Sequence, residues 1–243
     1  MPFTFTHPAI VIPLTRLRVK FVSASALVIG SMTPDFEYFI KMKLSGRFSH
    51  TLEGAFLFCL PVSFAALVVF HYVVKGPFIN ALPVYFHSRL IQLRDFDFTE
   101  SLRKYPFAYF ICLLTGIFSH LLWDSFTHAN HFMVRHLEFL SFTPSVFFLP
   151  SWPLFRYLQH ISTLLGAIYL IFYFHHLPSQ KTANTLNPLY WLSVILLSSA
   201  IYFGRASFGF EYLGDQVSTA ISAFFISLIA AGFFTKKIKK YVT

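Results

Sequence analysis

Long apolar runs broken by short polar stretches make up most of the 243-residue chain. A helix needs about 20 mostly apolar residues to cross the hydrocarbon core of a bilayer. Five segments approach that length, at residues 54–74, 105–127, 157–177, 189–203 and 217–234. The fourth is short, and its flanks Pro188 and Gly204 mark a tilted or partly buried helix. Ahead of all five, VSASALVIGSMTPDFEYFI starts apolar and is then interrupted by Pro34, Asp35 and Glu37. Such an interruption is expected of a broken or re-entrant segment that lines a polar cavity. The pattern therefore predicts an all-α fold, a polytopic helical membrane protein with five or six transmembrane helices and a broken or re-entrant N-terminal segment. No internal repeat or low-complexity linker appears, so residues 1–243 read as a single integral membrane domain. Within it, 1–53 form the N-terminal polar part of a site, 54–177 the core helices that carry the site, and 178–243 the C-terminal helices.

Composition excludes an ordinary soluble domain: 56% of residues are hydrophobic and only 12% charged. The formal net charge of +9 raises nucleic acid as a partner, but the basic residues sit beside apolar runs, where Lys and Arg report topology and anionic lipid. No nucleic-acid partner is expected. Cys59 and Cys112 both fall inside apolar runs and read as packing residues, not as a disulfide or a metal motif. The opening MPFTFTHPAIVIPL has neither a basic start nor a small-residue cleavage site, so no removable signal peptide is expected.

The loops set an orientation. The run Lys236–Lys240 and the 75–104 connection, with Arg89, Arg94, Arg103 and Lys104, belong on the cytoplasmic side. Counting five helices back from a cytoplasmic carboxyl terminus places the Lys-free stretch 128–155 outside. The amino-terminal region stays open: Arg16, Arg18 and Lys20 favour the inside, which would leave Lys41, Lys43 and Arg47 outside.

One stretch of the second long segment, GIFSHLLWDSFTH, carries His120, Asp124 and His128 at intervals of four. In an α-helix each such step rises about 6 Å and turns about 40° past a full turn, so the three form one narrow stripe. An ionisable group at membrane depth costs about 2.5 kcal/mol or more unless it faces protein or water, and is by default a functional candidate. Imidazole and carboxylate are ordinary ligands of zinc and similar divalent ions. Further candidates gather at what the topology makes the same end: Asp35 and Glu37 after the Thr33-Pro34 break, His50 in FSHTLEG, His160 in YLQHIS, and His7 in FTHPA if the amino terminus folds back. Each has a plainer alternative as well. A single intramembrane His can be a hydrogen-bonded packing residue, Glu37 can simply pair with Lys41, and His131 and His136 read most simply as solvated or interfacial. Trp123, Trp152 and Trp191 read as interface anchors or packing residues.

MPFTFTHPAIVIPL, VIGSMTPDFEYF, FSHTLEGAFLF and SHLLWDSFTH followed by YLQHIS together resemble an uncharacterised group of bacterial membrane proteins, the domain-of-unknown-function family 4184. That resemblance covers most of residues 1–175 and implies no activity. The order of an amino-terminal His, a Pro-Asp, a later His, a helical His-x-x-x-Asp with another His, and a His downstream is similar to the ligand order of the zinc-dependent phospholipase C and nuclease fold. It also resembles the membrane-bound metal-dependent hydrolases related to a family induced by DNA damage in bacteria. This resemblance implies His7, Asp35, His50, His120, Asp124, His128 and His160 as metal ligands. The phospholipases continue from their last His to a Glu four residues on, where this chain has Leu164.

The function expected from these features is a membrane-embedded metal-dependent hydrolase acting on a phosphoester, of a phospholipid or lipid-linked substrate, by metal-activated water. The cofactor is a divalent metal, zinc first, with manganese or iron as alternatives. Asp35, Glu37 and Asp124 are the expected catalytic residues, Glu37 as general base or as orienter of the site. The expected location is the bacterial cytoplasmic membrane, multi-pass, with a cytoplasmic carboxyl terminus and the site near the extracytoplasmic face. Two other readings use the same residues: an intramembrane proton- or cation-binding transport protein, and a structural membrane protein without catalysis.

Overall fold

The structure is a computed structural model that describes residues 3–17, 21–145, 150–183 and 186–242, with 236–242 described by their backbone alone. Arg18 and Lys20, which bear on the amino-terminal orientation, lie outside the described residues, as do the side chains of the Lys236–Lys240 run. Among the described residues every regular element is helical. In chain order these are α1 (Pro8–Val11), α2 (Ala24–Met32), α3 (Phe36–Lys41), α4 (Leu52–Ala81), α5 (Val84–Arg94), α6 (Phe98–Lys104), α7 (Pro106–Thr127), α8 (Phe132–His136), α9 (Glu138–Ser141), α10 (Leu154–His175), α11 (Pro188–Ala206) and α12 (Leu213–Val242). Five of them, α4, α7, α10, α11 and α12, are long and apolar enough to cross a membrane. The chain is a multi-pass helical membrane protein.

The short fourth run becomes a full helix of 19 residues, α11. Pro188 takes the first turn, where its missing N–H leaves no bond unmade, and the Asn187 side chain caps the Tyr190 N–H at 3.1 Å. Gly204 is simply absorbed into the helix. Among the described residues no sixth span forms: α2 has nine residues, about 14 Å, and is broken from α3 by a 3-10 turn over Thr33–Asp35. Pro34 has no N–H to continue the α2 ladder, and the Thr33 hydroxyl donates back to the Ile29 carbonyl at 2.6 Å.

The chain divides into two compact units, each built from separated segments. The first comprises Met1–Asp35, Phe48–Ser63 and Tyr105–His176. Its spine is α7, whose buried positions, including Tyr109, Leu113, Gly116, Ile117, His120 and Asp124, recur at three- and four-residue steps. The opposite face carries Phe107, Phe110, Ile111 and Leu122, all exposed, as a helix against lipid requires. Helix α2 crosses the buried stripe backbone to backbone. A Cβ on Gly30 would lie 2.4 Å from the Leu113 carbonyl oxygen, and one on Gly116 2.5 Å from that of Leu27. Small residues at the crossing are what allow this approach. The start of α4 is fixed by its own loop: a Cβ on Gly54 would clash with the Phe48 carbonyl, and the Cys59 thiol donates to the Ser49 carbonyl at 3.3 Å.

The second unit comprises Phe36–Arg47, Phe64–Lys104 and Leu177–Thr243. Its core joins Ala81 of α4 to Tyr190 and Val194 of α11 and to Leu228 and Ala231 of α12, and the Trp191 indole donates to the Ala81 carbonyl at 2.7 Å. Helix α3 is tied to α12 by the Ser222 hydroxyl, which donates to the Phe39 carbonyl at 2.5 Å.

Candidate metal centre

Five candidate side chains from separate parts of the first unit meet at one point. The Thr33–Asp35 turn delivers Asp35, the 3-10 turn Phe48–His50 delivers His50, α7 delivers His120 and Asp124, and His7 follows the Thr4–Thr6 turn just before α1. Asp35 and His120 are wholly inaccessible to solvent and Asp124 nearly so. His50 Nε2 lies 3.6 Å from Asp35 Oδ1 and 3.5 Å from Asp124 Oδ2. His120 Nε2 lies 3.7 Å from the same Asp35 oxygen and 3.3 Å from the same Asp124 oxygen. Bonds of about 2.0–2.1 Å to a tetrahedral zinc place neighbouring ligand atoms about 3.3–3.4 Å apart. These four His–Asp separations are close to those that one small cation imposes on neighbouring ligands.

In three of the four donor groups the far atom is held by protein. His120 Nδ1 donates to the Ser31 carbonyl at 2.7 Å. A carbonyl only accepts, so in the neutral ring Nδ1 carries the proton and the Nε2 lone pair faces the cluster. His50 Nδ1 pairs with the Ser49 hydroxyl at 3.0 Å. The Thr4 hydroxyl donates to Asp35 Oδ2 at 2.5 Å and so turns Oδ1 inward. Ligands oriented through their second atom are the usual condition of a working metal site.

Inside the cluster pairing is loose, with His120 Nε2 and His50 Nε2 at 3.3 and 3.5 Å from Asp124 Oδ2. His120 Nε2, Asp35 Oδ1, Asp124 Oδ1, His128 Nε2 and both nitrogens of His7 are buried without a hydrogen-bond partner among the described residues. Each such atom costs about 1–3 kcal/mol if left alone. A proton shared between His120 and Asp124 would relieve one pair, whereas a cation relieves several acceptors at once. The donor set of imidazole nitrogens and carboxylate oxygens fits a divalent ion of the zinc type.

Around this core, His7 stacks on His120 with ring centroids 3.7 Å apart, and its Nε2 is 3.7 Å from Asp124 Oδ1. Burial, followed by the neighbouring His120, holds the His7 imidazole well below its usual pKa, so it stays neutral with a lone pair to offer. Burial raises the Asp35 carboxyl, against the pull of His120. Two sets of three can hold one ion, His7 with Asp35 and His120, and His50 with His120 and Asp124. His120 belongs to both.

The remaining expectations divide. His128 does not continue the helical stripe, because α7 ends at Thr127 and His128 is its extended C-cap. It still reaches the cluster by folding back: Nδ1 lies 3.3 Å from the Asp124 carbonyl and 3.5 Å from Asp124 Oδ1. His160 is not brought in. It is exposed on α10 and lies against Trp152, ring centroids 5.0 Å apart. Glu37 falls in the other unit, where it binds Lys41 at 2.7 Å. The residues that sequence reasoning missed are Thr4, Ser31 and Ser49. His131, read as solvated or interfacial, is half-exposed, with ring centroids 5.4 Å from His128 and 6.3 Å from His50.

Among known proteins, no curated protein and no solved structure matches the chain. One family does, described as a domain of unknown function (DUF4184), over residues 1–234, and the chain belongs to it.

Proposed function

We propose that this member of the DUF4184 family is a membrane-embedded, metal-dependent hydrolase that cleaves a phosphoester in a lipid or lipid-linked substrate. One observation carries the reading: buried His and Asp donors converge, and in Asp35 and His120 the outer atom is held by protein while the inner atom has no hydrogen-bond partner among the described residues. That polarity favours a bound cation over a purely structural polar cluster, which would satisfy itself. The ion would bind at His120, with His50 and Asp124 or with His7 and Asp35 as its other ligands, and His128 flanks Asp124 Oδ1. A divalent ion at this point supplies Lewis acidity, which makes water nucleophilic near neutral pH and stabilises charge developing on a phosphoryl oxygen.

The chain itself orients and shields. The α2–α7 crossing closes one side of the centre to water, and His120 is fixed through Ser31. The more open edge is formed by His128, whose side chain is 19% exposed, and by half-exposed His131. Glu37, bound to Lys41, has no part in this scheme. A basic carboxyl terminus favours the cytoplasmic side, and with five spans that orientation supports a site near the outer face, level with phospholipid head groups.

The test is elemental analysis of detergent-purified protein, followed by hydrolysis assays on phosphatidylglycerol and a chromogenic phosphodiester. Stoichiometric zinc, manganese or iron with metal-dependent phosphate-ester cleavage is the expected result. Failure to retain any of the three ions after reconstitution would overturn the proposal.

A further inference from the structure

The first unit contains an apolar groove of about 320 Å³ that touches the cluster through one residue, His7. Its two long walls have the same periodicity. Thr6, Ala9, Ile10 and Pro13 form one, and Ser162, Leu165, Gly166 and Tyr169 of α10 form the other. Each set follows the i, i+3, i+4, i+7 spacing of a single helical face, about 10 Å long. Gly166 permits the close approach of the two walls, since a Cβ there would lie 3.2 Å from the Thr6 Cβ. Trp123 of α7 completes the lining.

The polar groups in the lining are mostly spent. The Trp123 indole donates to the Ser162 hydroxyl, which donates to the Gln159 carbonyl, and the Thr6 hydroxyl donates to the Phe3 carbonyl. A polar ligand would find little to bind along the length. His7, whose nitrogens have no hydrogen-bond partner, is the exception, and it sits at the start of the groove, with Pro13 and Tyr169 further along.

The groove is also continuous with the surface that faces lipid. None of the residues of α10 is buried, and Leu165 itself is 59% exposed on a helix apolar enough to cross a membrane. Ile161, Ile168 and Phe172 are exposed on the same helix. A hydrocarbon chain can therefore enter sideways from the bilayer without crossing water.

We infer that this groove holds a hydrocarbon chain of a membrane lipid, with the polar end of that lipid at Thr6–His7 beside the metal centre. The identity of the head group as a phosphoester substrate rests on the hydrolase reading above. The presence of the chain does not.

The inference is tested by photolabelling in phosphatidylglycerol vesicles that contain a trace of phosphatidylglycerol with a diazirine on its acyl chain, with adducts mapped by mass spectrometry and bound metal measured on the same sample. Labelling concentrated on Ile10, Leu165 and Tyr169, above that on Leu164 and Ile171, is the expected pattern in the wild type. In Leu165→Trp, groove labelling should fall about tenfold, the scale set by displacing one or two chain methylenes, with metal content unchanged. Equal labelling all round α10 would mean only annular lipid and would overturn the inference, whatever the metal content. Groove labelling in a protein that binds no metal would uphold the chain site and remove the hydrolase. If Leu165→Trp does not fold, the wild-type pattern alone decides.

Discussion

His120 Nδ1 and the Ser31 carbonyl lie 2.7 Å apart across the crossing of α7 on α2. That bond fixes which nitrogen of His120 faces the cluster, and it depends on how closely the helices approach. Gly116, one turn before His120, sets the approach: a Cβ there would lie 2.5 Å from the Leu27 carbonyl oxygen and 2.6 Å from the Ser31 nitrogen. Both are backbone atoms and cannot step aside.

Gly116→Ala should therefore push the helices apart, lower stability by about 1–3 kcal/mol as overpacking does, and reduce bound metal with it. Gly76→Ala is the control, since nothing lies within 4 Å of a Cβ at that position. Thermal unfolding in detergent and elemental analysis of both variants decide the matter. Unchanged metal content in Gly116→Ala would show that the crossing does not position the centre.

Among the donors, His120→Ala, Asp124→Asn and Asp35→Asn should each purify with little or no bound ion, because each removes a partner from the His–Asp pairs that stand 3.3–3.7 Å apart. His160→Ala should retain the full complement, its ring being against Trp152. Loss of metal from His160→Ala at normal stability would contradict the placement of α10.

The contrast between His120 and His160 marks what the sequence made legible. Asp124 follows His120 by four residues on one helix, so spacing alone put them together. The five spans were equally visible, because hydrocarbon thickness imposes a length that hydropathy reads directly. His160 is different: which way a residue on α10 faces depends on how that helix rotates against α1 and α7, and no local pattern encodes it. Ser31 and Thr4 were hidden for the same reason. Their roles are tertiary, one through a backbone carbonyl whose residue type is nearly irrelevant, the other through a hydroxyl 31 positions from its carboxylate. His128 was found for a partly wrong reason, since it reaches Asp124 from the C-cap and not along the stripe.

Thr4 offers a test of orientation without loss of a ligand. Thr4→Val keeps the shape but removes the hydroxyl that occupies Asp35 Oδ2, leaving that carboxylate freer to rotate. Removing an outer partner of this kind typically costs about 10–100-fold in metal affinity, and competition against a chelator of known affinity should read a loss in that range. Affinity equal to wild type would mean that packing alone holds Asp35 in place.

Stripping the ion should destabilise the whole first unit. Without it, Asp35 Oδ1, Asp124 Oδ1 and His120 Nε2 remain buried with no hydrogen-bond partner among the described residues. An ion present at 100 times its dissociation constant stabilises the folded state by about 2.7 kcal/mol. Chelator treatment should therefore lower the unfolding midpoint of the wild type, and added zinc should restore it. Asp124→Asn, which removes a charge as well as a donor, should unfold at one temperature with or without chelator. A wild-type midpoint that ignores both chelator and zinc would mean that protons, not a metal, satisfy these donors.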